Sequence, residues 1–220
     1  MKKQPGEIEQ ASFTIIREEL RRRGLVPDDK NAAVVLRCIH ASADFDYAEN
    51  LRFSTGVMQH ALEALKAGAA IVTDTNMARA GISRVGLQKL GSDVICLMAD
   101  PSIAEVAKAR GTTRAAAAMA AAAQQFPTAI YAVGNAPTAL FTLSDCMDRG
   151  FRPSLVVAVP VGFVNVVESK ERILAACRRY DVPIIAAMGR KGGSSIAAAI
   201  CNALIYTAAD MLDPAERGWN

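Results

Sequence analysis

The sequence predicts a single-domain α/β fold, a mostly parallel β-sheet covered by helices on both faces. Short apolar runs rich in β-branched residues alternate with longer helical patterns, which is the signature of parallel strands joined by crossover helices. The 220 residues, 51% hydrophobic and 21% charged, are enough for one large core. No internal repeat and no composition shift divides the chain, so one domain is expected over 1–220, with short flexible ends at 1–7 and 211–220.

The elements follow in order. Ile8–Arg23 carries Phe13, Ile16 and Leu20 at helical spacing and stops at Gly24. A second helix is expected from an N-cap at Asp28 or Asp29 to about His40, with Val35, Leu36 and Ile39 facing inward. Strands are expected at Ala70–Thr73, Val94–Met98, Ala129–Val133, Leu155–Val159 and Ile184–Ala187. Helices are expected at Ser54–Ala67, Pro101–Arg110, Thr113–Gln124, Pro137–Arg149, Val167–Tyr180 and Gly193–Thr207. The alanine run Ala115–Ala123 reads as a close-packed helix, because alanine is the best helix former.

Composition excludes several functions. Lys and Arg total 25 against 22 Asp and Glu, and a net charge of +3 is too small for a nucleic-acid surface. The five cysteines are widely spaced and odd in number, which suits reduced core residues in a cytoplasmic protein. The N-terminus lacks the apolar stretch of a signal peptide, and the longest apolar run, Leu155–Val167, is broken by Pro160 and Gly162, so no membrane span is expected. GxGxxG, GK[ST], GxSxG and HExxH are all absent. Nucleotide, serine-hydrolase and histidine-pair metal chemistry are therefore disfavoured.

The polar residues converge. The segments after the five runs are TDTNMARAG, ADPS, GNAPTAL, PVGF and GRKGGSS. In a parallel sheet they lie together at the carboxyl ends of the strands, where such folds bind ligands. Glycines there let backbone approach a ligand, and helix starts offer N–H groups to anions. A large, carboxylate-bearing molecule suits this rim.

Of the two histidines, His40 lies where a helical pattern breaks into the acidic, aromatic loop ASADFDY. With an unperturbed pKa of about 6.5, histidine suits proton transfer near neutrality. His40 is the leading reactive group, against the alternative of a structural histidine at a helix end. His60, in VMQHALEAL, reads as a surface or half-buried structural residue. One acid-base histidine without metal or nucleophile points to a proton-assisted rearrangement.

The ordered blocks HASADFDYAENLRFS, AGAAIVTDTNMARAGI, GTTRAAA, GNAPTALF, PVGFVNVVESKE and GRKGGSSIAAAICNAL resemble the precorrin-8X methylmutase family of cobalamin biosynthesis, including the cobalt-precorrin-8 methylmutases. The resemblance runs from about Ser12 to Leu204. It implies an α/β sandwich and a homodimer with the active site at the subunit boundary. It also implies an isomerase without a cofactor, moving a methyl group from ring position 11 to 12 of a corrinoid by a 1,5-sigmatropic shift. The family's reactive histidine falls on His40 as general acid. Its substrate-contacting serine and arginine fall on Ser12 and Arg37.

One helical turn separates Arg37 from His40, so Arg37 could clamp a carboxylate while His40 addresses the ring. The alternatives are a helix N-cap for Ser12 and a solvated charge for Arg37. Arg114 is a weaker carboxylate-binding candidate. Asp44 and Asp46 are expected to shape their loop.

The ADFDYAENL and TDTNMA wording favours the cobalt-bearing substrate and cobyrinate as product, over metal-free precorrin-8X and hydrogenobyrinate. Cobalt would arrive inside the substrate, with no protein metal site. Ala43 stands where the aerobic branch more often carries glycine, and Asn165 departs from the glycine that many members carry, which puts the local turn at Asn165 in doubt. A reading from another class is a non-catalytic corrinoid-binding carrier that passes the product to the next pathway enzyme.

Overall fold

The computed structural model describes residues 4–217. The chain opens with α1 (Pro5–Arg23), α2 (Ala32–Ser42), α3 (Tyr47–Asn50), β1 (Leu51–Phe53) and α4 (Val57–Lys66). β2 (Ile71–Thr73), α5 (Asn76–Gly81), α6 (Arg84–Lys89) and β3 (Val94–Ile95) follow. Then come α7 (Pro101–Ala109), α8 (Arg114–Gln125), β4 (Ile130–Val133) and α9 (Pro137–Asp148). The chain continues through β5 (Leu155–Ala158), α10 (Val166–Arg179), β6 (Ile184–Ala187) and α11 (Ser194–Ala208) to a 3-10 turn, Pro214–Arg217.

The sheet order is β1-β6-β5-β4-β2-β3, parallel except for β1, which pairs antiparallel with β6. Strand side chains alternate between two cores, as the period-2 pleat requires. Ile71, Ile130, Leu155, Val157 and Ile185 join the core under α1, α2, α4 and α11. Val72, Tyr131, Val156, Ile184 and Ala186 join the core under α8, α9 and α10. The alanines of α8 are mostly buried, bringing that helix close to its neighbours.

The structure departs from the sequence reading in four places. β1 was not expected. It is three residues long and carries Arg52 at its centre, so it offers no run for a period-2 pattern. The N-cap of α2 is Asn31; Asp28 instead accepts from the Lys30 amide in the preceding turn. The short helices α3, α5 and α6 and the final 3-10 turn are additional to the elements expected from the sequence.

The ends are also more ordered than expected. Pro5–Glu7 is already helical, fixed by a capping box in which Gln4 and Glu7 satisfy each other's backbone groups. Met211 is buried, and Arg217 is held by Glu9. The remainder of the expected flexible ends, 1–3 and 218–220, lies outside the described residues.

Candidate active site

On α1, residues 9, 12, 13 and 16 form one stripe at helical spacing, placing Glu9, Ser12 and Phe13 together and anchoring them through buried Ile16. Glu9 is only 4% exposed. It accepts from Arg37 of α2 at 2.8 Å, and from Arg217 through both carboxylate oxygens. Burial works to raise the Glu9 carboxyl, but the bonds and charges of Arg217 and Arg37 outweigh it and hold the group below the usual carboxylate range.

The Arg37 side chain is 14% exposed, and its guanidinium lies 5.1 Å from the Phe13 ring and 5.0 Å from the Tyr206 ring. The Phe13 ring also lies 5.1 Å from the exposed His40 imidazole, tilted by 39°. Phe13 thus links the guanidinium to the imidazole on one face of the helix pair.

α2 ends at Ser42, and Ala43 caps it in the left-handed conformation, φ 55°. The turn aims the following loop at the sheet rim, where Lys191 of GRKGG pairs with Asp44 at 2.7 Å and Asp46 at 2.5 Å. Asp44 and Asp46 therefore tie the histidine loop to the loop after β6.

Two buried ionisable groups brace that rim from within. Asp74, after β2, accepts from the amides of Gly134, Asn135 and Ala136 at 2.9, 2.8 and 2.7 Å. Burial pushes its carboxyl up, and the backbone bonds offset only part of that. Lys170 of α10 is fully buried and donates to the carbonyls of Gly189 and Lys191, both at 2.8 Å. Burial lowers its ammonium to about 8.

The same loops pack backbone on backbone. A Cβ at Gly192, φ 158°, would lie 2.1 Å from the Val159 carbonyl oxygen. Beside them, Phe163 and Val164 of the loop after β5 are 82% and 77% exposed.

Cavities of about 790 and 450 Å³ lie elsewhere, around Phe53–Thr55, the first beside Asn31 and Met58 and the second beside His60, Arg178 and Pro183. Ser54 bonds with the backbone of Ile184, the first residue of β6, so both cavities sit at the amino ends of the strands. His60 Nδ1 lies 2.9 Å from the Gly56 carbonyl of its own helix turn.

The structure brings Ser12, Arg37 and His40 together on the α1–α2 pair. Ser12 is mid-helix, not an N-cap, and its hydroxyl donates to the Ile8 carbonyl at 2.8 Å. Arg37 is not a solvated surface charge, since Glu9 and two rings enclose it. Arg114 stands on the opposite layer at the start of α8, donating to the Met98 carbonyl at 3.1 Å. Its neighbour Thr113 meets Thr138 of α9 at 2.8 Å, which keeps Arg114 at the rim.

Sequence reasoning missed Glu9, Tyr206 and Arg217, and the braces Asp74, Lys170 and Lys191. A Glu–Ser–Phe stripe on an amphipathic helix was visible. Its pairing with an arginine 208 positions away was not.

An exposed imidazole one turn from a guanidinium, beside a rim of backbone amides, can protonate a large anionic ligand while gripping its carboxylates. The precorrin-8X methylmutase family model matches residues 7–207. The cobalt-precorrin-8 methylmutase of Salmonella typhimurium is 42% identical, over 92% of this chain and 95% of its own length. The precorrin-8X methylmutase of Pseudomonas aeruginosa is 39% identical, over 90% of this chain and 93% of its own. The crystal structure of precorrin-8X methyl mutase from Thermus thermophilus superposes with a TM-score of 0.81 at 41% identity, covering 92% of this chain and 98% of that one. The fold and a match over nearly the whole length agree: the chain belongs to the precorrin-8X methylmutase family, isomerases of cobalamin biosynthesis.

Proposed function

We propose that this chain moves the methyl group at ring position 11 of cobalt-precorrin-8 to position 12, giving cobyrinate, with His40 as general acid and no cofactor of its own. The observation that carries the reading is the exposed His40 imidazole, set against the Phe13 ring one turn from Arg37. His40 protonates the macrocycle, the conjugated system reorganises as the methyl migrates, and the proton is then returned. Positioned proton transfer supplies about 10²–10⁴-fold. Orientation of the rigid ring supplies the rest, with Arg37 gripping a side-chain carboxylate and Ser12 bordering the same face.

The cobalt-bearing substrate is favoured by the ADFDYAENL and TDTNMA wording and by alanine at position 43. The Salmonella relative is named for that substrate. Cobalt comes within the macrocycle. The carrier alternative loses ground, because the relatives at 37–42% identity carry methylmutase names.

We also propose a homodimer with the site at the subunit boundary. Arg114 and the α1–α2 face lie on opposite layers of one protomer, and the exposed Phe163–Val164 pair adjoins the rim. Apolar rim residues of this kind mark contact surfaces. Handing of the product to the next pathway enzyme would start from the same boundary.

No helix among the described residues is long and apolar enough to cross a membrane. The five cysteines are free, and four are buried, which suits a cytoplasmic enzyme.

The test is anaerobic incubation of the protein with cobalt-precorrin-8 and, separately, with precorrin-8X, followed by mass and NMR analysis. An isomer of unchanged mass with the methyl at position 12, formed faster from the cobalt substrate, is expected. Tight binding of both without conversion would replace the methylmutase by the carrier.

A further inference from the structure

Glu9 and Arg217 lie 208 positions apart, yet they meet in a pocket where both side chains are 4% exposed. Arg217 also lies 4.7 Å from the Tyr206 ring, the same ring that Arg37 approaches from 5.0 Å. Two guanidiniums thus share one carboxylate and one aromatic ring.

The arrangement fixes Arg37. An arginine carries five N–H donors in a fixed fork, and the bond from Glu9 uses Nη1 of Arg37. That bond, with rings at about 5 Å from Phe13 and Tyr206, fixes the rotamer of a side chain that otherwise loses up to about 2 kcal/mol of rotamer freedom on ordering.

We infer that Arg217 is a positioning residue for substrate binding: its two-point hold on Glu9 fixes the carboxylate that orients Arg37 toward the substrate's carboxylate. The Pro214–Arg217 turn then belongs to the site, although it lies beyond the rim and outside the span of the family match. Arg217 acts through Arg37 and touches no reacting atom. The inference rests on the reading of Arg37 as the carboxylate clamp.

The test compares steady-state kinetics on cobalt-precorrin-8 for the full-length wild type, Arg37→Ala, Arg217→Ala and the double variant. Arg217→Ala is expected to raise KM about tenfold, the loss of a charge-assisted bond, with kcat within about threefold. The double variant is expected to be no worse than Arg37→Ala alone. A KM unchanged in Arg217→Ala, where Arg37→Ala raises it, would overturn the positioning role. So would penalties that multiply in the double variant.

If Arg37→Ala itself leaves KM unchanged, the clamp reading falls, a result separable from the first. Thermal melts establish that each variant is folded. If Arg217→Ala does not fold, Arg217→Lys carries the test, since it keeps the charge without the bidentate fork. A raised KM in that variant supports the role, and a wild-type KM overturns it.

Discussion

The two histidines mark opposite ends of the molecule, and the ends are built differently. At the amino ends of the strands, His60 bonds to its own helix turn beside cavities of about 790 and 450 Å³. Toward the carboxyl rim, His40 is exposed, but its surroundings are braced: Phe13 against its ring, Lys191 on its loop, and Asp74 and Lys170 beneath the neighbouring loops. The roomier end has side chains that serve their own elements. The braced end has buried charge held by main chain, which rigidifies the surface proposed to meet the corrinoid. Under the proposed assignment, cavity volume is a poor guide to the site, and the wiring of polar groups is a better one.

Replacing the histidines separately breaks this comparison most sharply. His40→Ala is expected to lower kcat by about 10²–10⁴-fold with corrinoid binding still measurable, whereas His60→Ala should stay within about twofold of wild type. Rate assays on both variants decide it. A large loss in His60→Ala and none in His40→Ala would invert the assignment.

The next effect is on stability. Asp74→Ala leaves the amides of Gly134, Asn135 and Ala136 without their acceptor and should cost about 3 kcal/mol in chemical denaturation. A loss below about 1 kcal/mol would show that the loop holds itself.

Lys170 gives a pH signature. Its ammonium is lowered from 10.5 to about 8 in the fold, so between those values the unfolded chain binds more protons than the folded one. Stability contributed by this group therefore rises with pH through that window. Raised thiols and phenols such as Cys177 and Tyr47, both pushed up to about 12, act in the opposite direction. They cancel in the difference between wild type and Lys170→Met. That difference should move in favour of wild type by about 1 kcal/mol between pH 8 and 9, read from paired unfolding curves. A flat difference would mean that Lys170 titrates normally.

The smallest effect concerns the left-handed positions. Ala43 and Asn165 hold φ of 55° and 57°. Ala43→Gly should stabilise by about 1 kcal/mol and Asn165→Gly by less, because asparagine tolerates this conformation better than alanine does. Thermal melts of the two variants give the ranking.

These two residues also show what the sequence made legible. The departure from the family's glycine at Asn165 put that turn in doubt, and the structure keeps the turn with a non-glycine residue in the glycine conformation. The parallel strands were legible because buried strands are continuous apolar runs, as at Ile130–Val133. β1 was not, because its register comes from pairing with Ala187, Ala186 and Ile185 and from nothing in its own three residues. The spacing of Arg37 and His40 placed them on one helix face. The partners of Arg37, however, come from α1 and α11, and the final turn reaches it only through Glu9 and Tyr206; contacts of that sequence separation leave no local pattern.

Hydrogen exchange with and without bound product corrinoid tests the central claim most directly, because it reports both ends of the molecule in one experiment. The account predicts new protection in peptides covering 9–16, 37–47 and 188–194, with 53–60 and 177–184 unchanged. Protection confined to 53–60 and 177–184 would place the corrinoid at the amino ends of the strands and contradict it.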